Sequence, residues 1–105
     1  MRSLSPAYVP MARSSTIQVF VPAPLREYSG GASELSTEGS SVREVLGELE
    51  RTHPGLYRSV CDDTGAVRRH VNLFVNRSHI RELDGVDSKL AAGDVLTIMP
   101  AVSGG

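Results

Sequence analysis

Several features that mark functional classes are scarce or missing in this 105-residue chain. Cys61 is the one cysteine, so no internal disulfide can form, and the chain fits a reducing, cytoplasmic setting. Lysine occurs once, at Lys89, against ten arginines, a bias of coding and not of function. Net charge is −1 with no basic block, which removes the electrostatic footprint of a nucleic-acid or anionic-membrane binder. No apolar run approaches the length of a membrane span. Internal repeats and low-complexity segments are absent.

Catalytic constellations are missing as well. An enzyme of this size should show a nucleophile beside a base, a metal cluster or paired acids. His53, His70 and His79 are not spaced as ligands on one element, and a lone thiol offers no second thiolate, so no metal is expected. Asp62 and Asp63 disfavour a thiolate at Cys61, which reads as a small, partly buried residue at a helix end. "GASELSTEGSS" has glycines but neither the lysine nor the spacing of a phosphate loop. "CDDTG" reads as a turn, because the later ligands of a calcium loop are lacking. Nothing in the chain catalyses a reaction by itself.

What is present suits one domain of ordinary composition, 40% hydrophobic and 22% charged. The opening "MRSLSPAYVPMARSS" carries Arg2 and Arg13, no acid and no apolar stretch of a secretion signal. Pro6 and Pro10 oppose the amphipathic helix of a transit peptide, and Met11 is a second plausible start. Residues 1–15 are expected to be a disordered or extended N-terminal extension.

"TIQVFVP" (residues 16–22) reads as a well-covered strand that Pro22 terminates, with Ile17, Val19 and Val21 on one face and Phe20 and Pro22 on the other. Gly30-Gly31 supplies positive φ for a hairpin, and "SELST" returns as a short edge strand. Ser41 with Glu44 forms a capping box in which each side chain satisfies the other's free amide. Val42, Val45, Leu46 and Leu49 then make one apolar stripe, and the helix ends before Pro54. "GLYRSVCDD" holds a short second helical turn, with Leu56, Tyr57 and Val60 covering the sheet's edge.

"RRHVNLFVN" (residues 68–76) alternates, with Val71, Leu73 and Val75 inward and Asn72, Phe74 and Asn76 outward. "RSHIREL" is a short strand after a turn. "DGVDSKLAAGD" is a polar connection plugged by Leu90, with Gly93-Asp94 as its last turn. "VLTIMP" is the final strand, Leu96 and Ile98 inward, Thr97 and Met99 outward. The order β-β-α-β-β-β predicts an α+β domain, a mixed four- to five-stranded sheet packed on one main helix with its other face open.

The chain closes on "MPAVSGG". Glycine adds no packing and costs the most entropy to order, so a terminal pair of glycines has no use within the fold. Residues without Cβ pass the narrowest channel, and a terminal glycine leaves its carbonyl carbon open to attack from either side. The five residues after Pro100 reach roughly 17 Å when extended at ~3.3–3.6 Å each, far enough to enter a neighbouring cleft. Residues 101–105 are therefore expected to be a flexible tail.

The β-β-α-β-β body, the strand "HVNLFVN" and the segment "GDVLTIMPAVSGG" together resemble the ubiquitin-like sulfur carrier proteins. That family includes the small subunit of molybdopterin synthase, the thiamine-thiazole sulfur carrier and the carrier of thiocarboxylate-dependent cysteine synthesis. The ending, Asp94 to Gly105, is most similar to the cysteine-biosynthetic carrier. The resemblance covers about Thr16 to Gly105 and implies a β-grasp fold over residues 16–100.

It implies a cycle too. An E1-like adenylating and sulfurtransferase enzyme uses ATP to activate the Gly105 carboxylate, and a sulfur donor converts it to a thiocarboxylate. The loaded tail, with Gly104 for clearance and Ala101, Val102 and Ser103 lining the partner's channel, then enters a sulfur-accepting synthase. In the cysteine pathway a metallopeptidase releases the product. The chain itself binds no cofactor and is a protein co-substrate, not an enzyme. Docking is expected on the open sheet face at Phe20, Pro22, Phe74 and Met99, where strand parity leaves an apolar cluster outside the core. Three alternatives stay open: the molybdopterin synthase subunit, a ubiquitin-like covalent protein modifier joined through the same adenylated end, and an unrelated small α+β binding module.

Overall fold

The computed structural model describes residues 16–100; the expected extension over residues 1–15 and the tail over residues 101–105 lie outside the described residues. Five strands form one mixed sheet: β1 (Thr16–Phe20), β2 (Glu34–Glu38), β3 (Val71–Val75), β4 (Ser78–His79) and β5 (Val95–Pro100), in the order β2-β1-β5-β3-β4. β1 and β5 run parallel at the centre, and the other three pairings are antiparallel. Two α-helices, α1 (Val42–Thr52) and α2 (Pro54–Val60), connect β2 to β3.

One sheet face is apolar and buried. Ile17, Val19, Val21, Leu73, Leu96 and Ile98 are fully inaccessible, and the stripe Val42, Val45, Leu46 and Leu49 of α1 joins them in one core. Each such side chain contributes about 1.5–3 kcal/mol relative to an exposed one. Leu90 is buried as a plug, as its place in the polar connection predicts.

The start of α1 differs from a closed capping box. The Ser41 hydroxyl accepts from the Glu44 N–H at 3.2 Å, but Glu44 Oε1 accepts from Ser40, from its N–H at 2.8 Å and its hydroxyl at 2.9 Å. The Ser40 donors lower the Glu44 pKa below its ordinary value. The same segment is tied to the strap before β5 on either side of Ser41: Leu90 N–H donates to Ser40 O, and Val42 N–H donates to Ser88 O.

Three further expectations are revised. The β1–β2 connection is no tight hairpin: β1 ends at Phe20, and a 3-10 helix, Ala23–Ser29, precedes Gly30 and Gly31 (φ 69° and 89°). The proline at its start presets the turn, and Arg26 Nε locks it by donating to Val21 O at 3.0 Å. The second helical piece is longer than a single turn: it is a seven-residue α-helix that packs on α1 and on the Ala23–Ser29 turn, and its Leu56 and Val60 join the sheet's buried core. β3 is shorter than residues 68–76, because Arg68 N–H turns back to Val60 O.

The last strand is pinned at its entry. Asn76, the one described non-glycine residue with positive φ (55°), donates from Nδ2 to Asp94 Oδ1 at 3.2 Å and accepts the Val95 N–H at 3.1 Å. Gly93 N–H donates to Thr16 O, and Gln18 N–H to Asp94 O. The Gly93-Asp94 turn thus delivers β5 into the gap between β1 and β3. Among the described residues no helix is long and apolar enough to cross a membrane.

Candidate functional site

The sheet face turned away from α1 is open, and register defines its rows. Glu34, Phe20, Thr97, Phe74 and His79 lie side by side across all five strands. Asn72 and Met99 are paired one step further toward the end of β5. The apolar residues of this face therefore gather where the chain leaves β5 for residues 101–105.

Exposure within the cluster is uneven. Met99 is 49% exposed, whereas Phe20, Pro22 and Phe74 are half-buried. Pro22 lies just past the end of β1, as the N-cap of the 3-10 turn. Two neighbours partly cover the aromatic rings. The Arg26 guanidinium carbon lies 5.9 Å from the Phe20 ring centroid, a cation–π contact. His79 meets Phe74 edge-on, with ring centroids 5.1 Å apart and planes at 72°.

His79 is held at both nitrogens. Its Nδ1 accepts the Arg81 N–H at 3.0 Å, so Nε2 carries the proton of the neutral ring and donates to Asn72 Oδ1 at 2.9 Å. Asn72 and His79 make a polar margin on one flank. On the other, Gln18 Nε2 donates to Ser36 Oγ at 3.0 Å beside Glu34. An apolar centre with a polar rim is the anatomy of a protein-recognition surface.

Arg26 and His79 escaped the sequence reading of this face, whereas parity had already turned Asn72 outward. The signal for His79 was the two-residue turn Asn76-Arg77, which pairs Val75 with Ser78 and Phe74 with His79. Arg26 left no such signal, because it reaches Phe20 only through the 3-10 turn.

The other sequence candidates lie apart from this face. Cys61 caps the end of α2 and is buried, and burial, then the Asp62 charge, pushes its thiol up to about 11. Asp62 Oδ1 accepts from the Thr64 N–H, the Thr64 hydroxyl and the Ala66 N–H, so "CDDTG" is a turn as expected. Among the described residues no three His, Cys, Asp or Glu side chains cluster as a metal site. Among the described residues, the open face holds no nucleophile set beside a base.

Comparison with known proteins gives this surface its context. The ThiS family model matches residues 19–105. The chain belongs to the ThiS family. It is 34% identical over 91 residues to the sulfur carrier protein CysO of Mycobacterium tuberculosis, across 85% of this chain and 98% of that one. A chain in the crystal structure of the Amycolatopsis orientalis BexX/CysO complex superposes with a TM-score of 0.78 at 31% identity, covering 85% of this chain and 99% of the other. The solution structure of small archaeal modifier protein 1 from Methanosarcina acetivorans gives 0.76 at 30% identity, covering 89% and 99%. The α+β body is thus a ubiquitin-like β-grasp, and the chain is a sulfur carrier of the ThiS type, a protein substrate and not a catalyst. The likeness of residues 94–105 to the cysteine-biosynthetic carrier agrees with the CysO match.

Proposed function

We propose that Gly105 is the sulfur-bearing residue of this ThiS-family protein. Its carboxylate attacks the α-phosphate of ATP in a partner E1-like enzyme, giving an acyl-adenylate and pyrophosphate. A sulfur nucleophile then displaces AMP and leaves a thiocarboxylate. The observation that carries this reading is the family match, which runs through the Gly-Gly to residue 105.

In this reading Phe20, Pro22, Phe74 and Met99 form the docking face for the adenylating enzyme, while Ala101, Val102, Ser103 and Gly104 pass into its active site. The loaded tail afterwards enters a sulfur-accepting synthase. The 34% identity to CysO favours cysteine biosynthesis, or a carrier shared by several pathways, with a metallopeptidase releasing the product. The chain binds no cofactor of its own, works in the cytoplasm, and meets neither nucleic acid nor membrane. The BexX/CysO complex supports a partner enzyme as the docking target.

A second reading, covalent attachment of the adenylated tail to lysines of other proteins, is favoured by the likeness to the small archaeal modifier protein. It uses the same residues and differs only in the nucleophile that takes the acyl group.

The test is single-turnover loading at saturating partner enzyme. Gly105→Ala should load at least tenfold more slowly, ~1.4 kcal/mol in the barrier, with unchanged affinity for the partner. A Cβ at residue 105 crowds the carbonyl more in the tetrahedral state than in the ground state, so the chemical step suffers and docking does not. An alanine variant that loads at the parent rate overturns the assignment.

A further inference from the structure

A half-open groove of about 530 Å³ lies on the helix side of the sheet, beside β3 and β4. Its floor is apolar, built by Val71, Leu73, Ile80 and Val86. Residues 64–69 form one lip, and Arg81 and Gly85 the other. Four arginines line it, Arg68 and Arg69 on the first lip, Arg81 on the second and Arg43 from α1, and no carboxylate does. Asp87 offsets Arg43 at the margin, which leaves Arg68, Arg69 and Arg81 as the groove's positive charge over an apolar floor.

The guanidinium groups have capacity to spare. Arg43 pairs with Asp87 at 3.0 Å, but both side chains are largely exposed. Arg68 uses only Nε, donating to Arg58 O at 2.8 Å. Among the described residues, the side chains of Arg69 and Arg81 make no hydrogen bond or ion pair.

Both lips are braced. The Asp62 carboxylate holds the first by three hydrogen bonds of 2.6–3.2 Å around Gly65, whose φ is 88°. Buried Ser88 holds the second, accepting the Asp84 N–H at 3.0 Å and donating to Gly85 O at 2.6 Å. A groove ordered in advance costs less to occupy.

We propose that this groove receives an acidic segment of a partner protein, with one aliphatic side chain on the apolar floor and flanking carboxylates paired to the arginines of both lips. The charge sits on opposite lips and outward, where Arg43 is 65% exposed, so it suits an elongated ligand. A compact phosphate would want donors converging on one buried point. His79 borders this groove as well as the open face, so a partner reaching around the β4 edge contacts both. The proposal does not depend on sulfur chemistry at Gly105, whose loading is read separately by mass.

The test titrates the full ¹⁵N-labelled chain with the peptide acetyl-Asp-Glu-Leu-Glu-Asp-amide and follows backbone amides. Saturable shifts are expected in residues 64–69 and 80–86, weakening as salt is raised. The neutral peptide acetyl-Asn-Gln-Leu-Gln-Asn-amide should bind at least tenfold more weakly. The Arg69→Glu/Arg81→Glu variant should also lose at least tenfold in affinity while melting as the parent does. Should that variant unfold, Arg69→Gln/Arg81→Gln serves in its place, with the same direction of loss. Equal binding of the neutral peptide, shifts located elsewhere, or parent affinity in the folded double variant overturns the proposal. So do shifts of the same amides by inorganic phosphate or ATP where the peptide produces none.

Discussion

Replacing Phe74 by threonine separates what its ring does for the fold from what it does for a partner. Threonine is β-branched and suits β3, but it removes the edge-on contact with His79. An aromatic pair is worth about 0.5–1.5 kcal/mol beyond burial. Adding the apolar area that a half-buried ring covers, the expected loss is about 1–2 kcal/mol. For a domain near this size that lowers the melting temperature by about 4–16 °C. His79 keeps its bonds to Arg81 and Asn72, so the loss stays local. Parity alone predicts a docking residue with little effect on melting; the His79 contact revises that to a measurable one.

Binding should fall further than stability. Truncating a central aromatic of an interface costs about 2 kcal/mol or more, roughly thirtyfold in Kd. Thermal melting gives the first quantity. Calorimetric titration against the adenylating enzyme, well below both melting points, gives the second. A variant that melts and binds like the parent refutes both roles of the ring. Lost stability with parent affinity places docking elsewhere.

Gly47 sits exposed inside α1, and a Cβ there meets nothing within 4 Å, so Gly47→Ala should stabilise the domain by about 0.5–1 kcal/mol in chemical denaturation; a loss contradicts the helix geometry. The Asp62 carboxylate is held below its ordinary value of 3.8, first by Thr64. Its contribution is therefore present at neutral pH and lost as pH falls through the lowered value, and Asp62→Asn should flatten the acid limb of stability against pH; an unchanged slope contradicts the turn. Cys61, buried with its thiol pushed up to about 11, should resist iodoacetamide in the native protein and react once urea unfolds it; rapid native alkylation contradicts its burial.

Period and parity carried most of the fold into view. The 2-residue alternation around Leu73 and around Leu96 and Ile98, and the stripe from Val42 to Leu49, each reported a buried face directly. The Ala23–Ser29 turn was opaque because Gly30-Gly31 suits a hairpin equally well, and only the long-range lock from Arg26 to Val21 decides against it. The return of Glu44 to Ser40 was hidden because the residue pattern of a capping box fits Ser40 and Ser41 equally well. At the open face, Phe20, Phe74 and Met99 were legible by parity, but their unequal exposure was not. That depends on which side chains arrive from other elements, His79 across the β4 turn and Arg26 from the 3-10 helix. The arginine-lined groove left no local pattern either, as its charges come from α1, the segment before β3 and the segment after β4.

Conversion of the Gly105 carboxylate to a thiocarboxylate, the proposed role of the chain, leaves a direct signature in its mass. Its most direct test is the intact mass of the full chain after incubation with the cognate adenylating enzyme, ATP and sulfide. The expected result is a gain equal to the exchange of one oxygen for sulfur, localised to the C-terminal peptide, dependent on ATP and absent after deletion of Gly104 and Gly105. An unchanged mass with a competent partner enzyme, or a sulfur adduct on Cys61 in its place, contradicts it.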